Sequence, residues 1–242
     1  GKKHEEVDQA IHKVLAAEPL HPVHHYRIHL WDYKNSKLAL DSATKCGATS
    51  PRIAHMWHMP GHIYSRLNRY QDAVWQQEAS ARTDHSNMMR DRVMPDEIHN
   101  FAHNNEWLIR NLIYVGRWKD ALDLAKNMIE LPRHPKYNTL SKRNSSYYGR
   151  IRLLDVLKHY ELWAELIALT ESAYLEPSED LAQQIRRLEH RGIAFAHLHH
   201  TDQVAHIIED LTARIQTEKD KAAEAQRKHQ EAVAKARARV VR

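Results

Sequence analysis

Histidines recur at helical spacing in the first hundred residues of the chain. Ten of the twenty histidines fall between positions 21 and 103. A helix places residues three, four and seven apart on one face, and imidazole is both the commonest metal ligand and the side chain that titrates nearest neutral pH. Neighbouring helices with such stripes can build a metal, proton-transfer or anion site. The main stripes are His21, His24, His25, His29; His55, His58, His62; and His99, His103.

A comparison of these stripes shows a repeated register. A shift of 34 residues places His21 on His55 and His24 on His58, and a shift of 48 places His55 on His103 and His58 on Glu106. Three neighbouring helices thus offer imidazoles and one carboxylate at equivalent positions. The predicted metal ligands are His24, His25, His29, His55, His58, His62, His99, His103 and Glu106.

The ligand types suit zinc, copper, nickel or ferrous iron without selecting one of them. Asn100 and Asn104 are expected to orient the imidazoles from outside the ligand shell. The residues expected to exclude water are Trp57, Trp31, Met56, Met59 and Trp107. Pro60 is expected to kink or break the helix that carries His55 and His62, because proline lacks the backbone donor that a helix needs.

The elements that must carry these residues follow from a second repeat. The segment 67–74 (LNRYQDAV) is echoed by 115–122 (VGRWKDAL), and both read apolar, any residue, Arg, aromatic, any residue, Asp, Ala, apolar. Weaker copies follow, and the shared small or apolar position recurs at intervals of 34, 48, 45 and 38 residues. Such a pattern predicts an all-α stack of antiparallel helix hairpins. The aligned positions are Ala39, Ala73, Ala121, Leu166 and Val204.

The domain organisation predicted from these patterns has three parts. Residues 1–18 form an opening helix, 19–216 the helical repeat domain, and 217–242 a charged helical extension or linker. The last part is rich in Ala, Glu, Lys, Gln and Arg, which favours helix, but it has almost no apolar stripe.

Composition excludes several classes of protein. The one cysteine, Cys46, which is expected in a turn, rules out an internal disulfide framework and a cysteine-type zinc site. No apolar run approaches the ~20 residues of a membrane span, so a soluble protein is expected, in a bacterial cytoplasm or periplasm. The formal charge is +5, and residues 227–242 hold six Lys or Arg against Glu231. The sequence shows no basic stripe interleaved with stacking aromatic residues, so nucleic-acid binding is not expected.

The repeated turn motifs resemble the tetratricopeptide repeat (TPR) family over residues 20–211. The strings 21–29 (HPVHHYRIH), 54–64 (AHMWHMPGHIY) and 98–103 (IHNFAH) resemble a histidine-rich class of bacterial TPR proteins. That resemblance implies a superhelical array of helix hairpins (an α-solenoid) with a long charged C-terminal helix. It singles out the same histidines. Some members of that class adjoin thioredoxin-like redox domains, and if this chain is part of such a larger protein, the charged C-terminal helix is expected to connect it to the fused domain.

Three functions follow as hypotheses. The first is a scaffold whose histidine-rich concave groove binds a divalent transition metal, as a store or sensor or within a redox or hydrolytic protein. The second is an interaction module that binds a peptide or protein partner in the groove without metal. The third is a spacer that dimerises a fused enzyme through the C-terminal helix. Whether the protein is an enzyme stays open at this stage.

Overall fold

The computed structural model describes residues 2–98, 100–132, 134–139 and 143–240. These residues form α-helices and two short 3₁₀ turns, Ser36–Ala39 and Pro95–Glu97, and no strand occurs among them. The predicted all-α fold is therefore confirmed. The helices are α1 (Lys2–Ala17), α2 (His24–Trp31), α3 (Leu40–Thr49), α4 (Ala54–Arg66), α5 (Tyr70–Asp91), α6 (Phe101–Tyr114), α7 (Trp118–Glu130), α8 (Ser145–His159), α9 (Trp163–Thr170), α10 (Leu181–His197) and α11 (Thr201–Val240).

The chain divides into two compact units, Gly1–Leu162 and Trp163–Arg242. In the first unit each helix packs on the next one in the chain. In addition, α2, α4, α6 and α8 each contact the next member of that series. The even-numbered helices therefore form one layer and α3, α5 and α7 form the other, which is the TPR-like arrangement of stacked helix hairpins.

The repeated sequence motif builds the turn of each hairpin. Its second position, Asn68 or Gly116, takes a left-handed backbone conformation with φ of 58° and 80°, which reverses the chain after a helix. The following arginine then pairs with the aspartate three residues on, since Arg69 Nε lies 2.7 Å from Asp72 Oδ2. Two of the weaker copies, those before Leu166 and Val204, share the left-handed residue, since Glu161 and His199 are also at positive φ.

The alanine of the motif allows two helices to approach closely. Ala73 and Ala121 are fully buried where α5 and α7 begin. Around Ala73, the core of the first hairpins contains Ile28, Ile63 and Cys46. Cys46 lies within α3 rather than in the expected turn, because Gly47 continues the helix and lets an indole from α4 pack against it.

The second unit contains α9, α10 and α11. Both α9 and α11 pack on α10, and Leu188, Phe195 and Ile207 form its apolar core. The predicted boundary at residue 217 falls inside α11, which runs unbroken to Val240. The long charged C-terminal helix is therefore confirmed. None of the described helices combines the length and apolarity that crossing a bilayer requires.

Candidate metal centre

The even-numbered helices bring six of the predicted ligands together in two groups of three. The outer group is His25 and His29 from α2 with His55 from α4, and the inner group is His58 and His62 from α4 with His103 from α6. Within each group, one candidate ligand nitrogen from every residue lies within 4.8 Å of the others. Such convergence from separate helices is what a metal site requires.

The inner group is the more buried of the two. His58 is completely buried, and His62 is 6% exposed. They lie one turn apart on α4, and their Nε2 atoms face each other at 2.8 Å. The ring of His103 reaches this pair from α6, with its centroid 4.7 Å from that of His58.

Each imidazole of the inner group has an acceptor for its Nδ1 proton. His58 Nδ1 lies 2.8 Å from Gln77 Oε1, His62 Nδ1 lies 3.2 Å from Asp32 Oδ2, and His103 Nδ1 lies 3.3 Å from Glu106 Oε1. The amide of Gln77 is oriented, because its Nε2 donates to the His58 carbonyl at 3.1 Å. We therefore assign the proton of each neutral ring to Nδ1, which leaves a lone pair on each Nε2.

The two carboxylates behind the histidines remain ionised acceptors. Burial alone raises the pKa of Asp32, but hydrogen bonds from His62 and Arg66 outweigh it, and the net pKa is lowered. Glu106 behaves in the same way: burial raises its pKa, and the interactions with His103 and Arg152 lower it overall. Ionised partners of this kind fix the ring orientation and increase the basicity of a ligating histidine.

Burial holds four of the six imidazoles neutral by lowering their pKa values. Burial, reinforced by neighbouring histidines, lowers the pKa of His58 well below its ordinary value and that of His55 to about 4. The pKa values of His25 and His29 are lowered as well, again first by burial. Neutral imidazole is the form that ligates metals. This arrangement does not favour an anion site built from protonated histidines.

The facing Nε2 atoms of His58 and His62 create a local conflict. Two lone pairs at 2.8 Å repel each other unless a proton or a cation lies between them. Zinc–nitrogen bonds of about 2.0–2.1 Å in tetrahedral geometry place the two nitrogens roughly 3.4 Å apart. A small outward shift of the rings is therefore enough to accommodate a metal ion.

The outer group is more exposed and less constrained. His25 Nε2 lies 3.0 Å from His29 Nε2, and Asn100 Nδ2 lies 3.1 Å from His55 Nδ1. Within the described part of the chain, no carboxylate pairs with these three imidazoles. His55 stacks on His58 with ring centroids 5.8 Å apart, which joins the outer group to the inner one.

A cleft of about 560 Å³ opens beside both groups. On its inner side the indole of Trp107 stacks on His62, with ring centroids 3.9 Å apart and an interplanar angle of 18°. A bound ion would therefore face apolar cover on one side and the open cleft on the other. The cleft is lined by His29, Asp32, Tyr33, His55, Met59, His62, Asn100 and His103.

Several predicted site residues lie elsewhere. The ring nitrogens of His24 contact Ser42 Oγ at 3.0 Å and the Pro19 carbonyl at 2.9 Å, so His24 does not join either group. Glu106 serves as an acceptor for His103 and Arg152 rather than as a member of a group. His99 lies outside the described residues.

The expected supporting residues have different roles. Asn100 does contact a ligand candidate, His55, whereas Asn104 donates to Asp84 Oδ2 at 2.7 Å in the interior. Trp57 donates to the Pro51 carbonyl at 3.0 Å and packs against α3 and Trp75. Of the indoles expected to exclude water, Trp107 is the one that stacks on the inner group.

The expected break at Pro60 does not occur. α4 runs from Ala54 to Arg66 with Pro60 in its interior. The next residue, Gly61, has to lack a side chain, because a Cβ there would clash with the amide of Gln77. Gly61 thus permits the contact that orients His58.

Sequence reasoning missed Gln77 and Asp32. A signal was present for Gln77, since α5 buries the polar residues Gln77, Ser80 and Asp84 at spacings of three and four. That spacing marks a polar stripe that faces other helices. Asp32 follows the last residue of α2 and lies three and seven residues after His29 and His25, the same spacing that places Glu106 after His103 and His99, so a signal was present for it as well.

Comparison with known proteins assigns no family. The sequence matches no protein-family profile, and it matches no curated protein. A comparison with solved structures finds three matching chains. One is a chain in the structure of Naa15/Naa10 bound to HypK-THB, with 12% identity and a TM-score of 0.36 over 88% of this chain and 34% of that chain. This chain therefore spans about a third of that chain's length, and the description of the fold rests on the helix packing.

Proposed function

We propose that the protein is a helical-repeat scaffold that binds one divalent transition-metal ion through the inner group, His58, His62 and His103. The observation that carries the proposal is the orientation of the rings. Each Nδ1 has an acceptor, from Gln77, Asp32 or Glu106, and the Nε2 atoms of His58 and His62 face each other at 2.8 Å, which opposes two lone pairs when both ring protons are on Nδ1. A cation between them removes their repulsion.

The number of ligands supports an exchangeable ion. Structural zinc sites have four protein ligands, whereas catalytic sites keep three and leave one position for water or substrate. The inner group supplies three imidazoles, and the adjacent cleft lined by His62 and His103 has room for a further ligand. This geometry favours a reactive or sensing role for the metal over a purely structural one.

The outer group forms part of the same proposal as a weaker second position. It has three imidazoles in range of one ion but lacks carboxylate acceptors among the described residues. Since such acceptors contribute about 10–100-fold to metal affinity, the inner group fills first.

The test is a measurement of metal content and affinity. Protein purified without a metal-affinity column is analysed by mass spectrometry for elements, and the metal-free chain is then titrated with zinc, copper, nickel and ferrous iron. We expect one tightly bound ion per chain, lost in His62→Ala and in His103→Ala. His85→Ala, which removes an exposed histidine from α5, is the matched control and should retain the ion.

Two outcomes would contradict the proposal. One is a chain that contains no metal and binds none of the four ions in titration. The other is metal binding that His62→Ala and His103→Ala leave intact. A peptide partner whose binding is indifferent to chelators would instead support the interaction-module hypothesis.

A further inference from the structure

A second cleft lies further along the groove side of the first unit. Its volume is about 530 Å³, within the range of small-molecule sites. Helices α6 and α8, both members of the even-numbered layer, supply its walls. The lining residues are Arg110, Ile113 and Tyr114 from α6 and Arg152, Asp155, Lys158 and His159 from α8.

This basic cleft is connected to the inner histidine group through one face of α6. His103, Trp107, Arg110 and Tyr114 follow each other at spacings of four, three and four, so they share that face. The indole of Trp107 stacks on His62, and the Arg110 guanidinium lies 4.8 Å from the centroid of the same indole. Seven residues of helix separate His103 from Arg110, which is about 10 Å.

The cleft carries uncompensated positive charge. Arg152 is neutralised, since it pairs with Glu106 and lies 2.9 Å from Asp155 Oδ2. Arg110 and Lys158 differ from it: among the described residues, no carboxylate lies within ion-pair distance of either. Two cations that lack an ionic partner in a concave site attract an anion.

The aromatic side chains give the cleft a firm wall. Tyr114 stacks on Tyr70 with ring centroids 4.5 Å apart, and the ring of His159 meets Tyr114 edge-on at 6.3 Å. Small-molecule sites typically combine an apolar wall with a small number of polar groups in fixed positions. A guanidinium and an ammonium group are the donors that bind carboxylate and phosphate groups.

We infer that this basic cleft binds the carboxylate or phosphate group of a small anionic molecule, through Arg110 and Lys158. The remainder of the molecule extends past Trp107 toward the inner histidine group, about 10 Å away. The extension of the molecule toward the histidines rests on the proposed metal site, whereas anion binding in the cleft does not. The metal centre would then act on, or sense, an acidic small molecule.

The first experiment uses the metal-free full chain, so that it is independent of metal binding. Inorganic phosphate and succinate are titrated separately by calorimetry at low ionic strength, which distinguishes the two anion types. We expect binding of at least one of them with a stoichiometry of one. The double variant Arg110→Gln/Lys158→Gln should weaken it at least tenfold, and Lys158→Arg should retain it.

The matched control is Lys119→Gln, which removes an exposed cation near the start of α7. It should leave the affinity unchanged. The inference is overturned if neither anion binds the wild-type chain, or if the control loses as much affinity as the double variant. Circular dichroism checks that each variant is folded. If the double variant is unfolded, the charge-retaining Lys158→Arg still tests the inference, because it should bind the anion as the wild type does.

The second experiment tests the link to the metal. The succinate titration is repeated on the zinc-loaded chain and on His103→Ala treated in the same way. Zinc should change the succinate affinity in the wild type and not in the variant. Binding that appears only with zinc and survives in the Arg110→Gln/Lys158→Gln chain would overturn the role of the cleft, because the anion would then lie on the metal itself.

Discussion

At the scale of single residues, the properties of the site depend on side chains that are not histidines. Gln77, Asp32 and Glu106 determine which nitrogen of each inner imidazole carries the proton. The histidines provide the ligands, and these three residues provide their orientation. Both kinds of residue are therefore open to test by substitution.

Asp32→Asn should weaken metal binding with little loss of folded protein. The neutral amide accepts a weaker hydrogen bond from His62 and leaves Arg66 without its ionic partner. We expect a decrease in metal affinity of about 10–100-fold, measured by competition with a chromophoric chelator. Asp8→Asn is the matched control, because Asp8 pairs with Arg27, Trp31 and the exposed His12 and with none of the candidate ligands. Equal losses in both variants would contradict the role of Asp32.

Cys46 should be inert in the folded protein. Its side chain is fully buried, and burial raises the pKa of the thiol to about 12. Because the thiolate is the reactive form and the thiol stays protonated at every pH below that value, Ellman's reagent at pH 8 should react only after denaturant is added. Fast reaction with the native chain would show that the core of the first hairpins is open.

At the scale of the elements, the pairing of α4 with α5 positions the inner group. Gly61 allows Gln77 to approach α4, and the amide of Gln77 then bonds to both the ring and the carbonyl of His58. Pro60 does not interrupt α4, because α3, α5 and α6 all pack against that helix. Tertiary packing here outweighs the local preference of proline.

Gly61→Ala should affect both stability and metal binding. The added methyl group clashes with Gln77, whose displacement removes the orientation of His58. We expect a decrease of about 1–3 kcal/mol in the free energy of unfolding, measured by urea denaturation, together with weaker metal binding. Gly192→Ala is the control: its added Cβ would lie 3.3 Å from Ile207 Cγ2 in the second unit. A full loss of metal affinity in the control as well would contradict the proposed contact.

The hairpins were predictable at this scale because their turns are encoded locally. Asn68 and Gly116 supply the left-handed residue, and the arginine and aspartate of the motif pair within four residues. The position of each turn can therefore be predicted from a short sequence motif. The orientation of Gln77 toward His58 was not readable, because it depends on how one whole helix lies against another.

At the scale of the whole molecule, the histidine site and its acceptors belong to the first unit. They lie between His25 and Arg152, within Gly1–Leu162. The end of α11 contributes little to either core, since nearly all side chains from Thr217 to Lys235 are exposed. The site and the C-terminal helix can therefore be tested separately.

Truncation after Gln216 should leave the thermal midpoint and the metal content unchanged. The deleted side chains from Thr217 to Lys235 are nearly all exposed and bury almost no apolar surface, so their removal costs little hydrophobic stabilisation. Differential scanning calorimetry and elemental analysis provide the two measurements. A change in oligomeric state, seen by light scattering, would instead support assembly through α11.

The sequence by itself determined the helix hairpins, the long C-terminal helix and the set of histidines from which a site can be drawn. The tertiary structure decided which histidines meet. His24 and His58 occupy equivalent repeat positions, yet His24 bonds to Ser42 and the Pro19 carbonyl, whereas His58 faces His62 and Gln77. The physical reason is that periodicity fixes the face of a helix on which a side chain lies. The partner across that face is supplied by a different part of the chain.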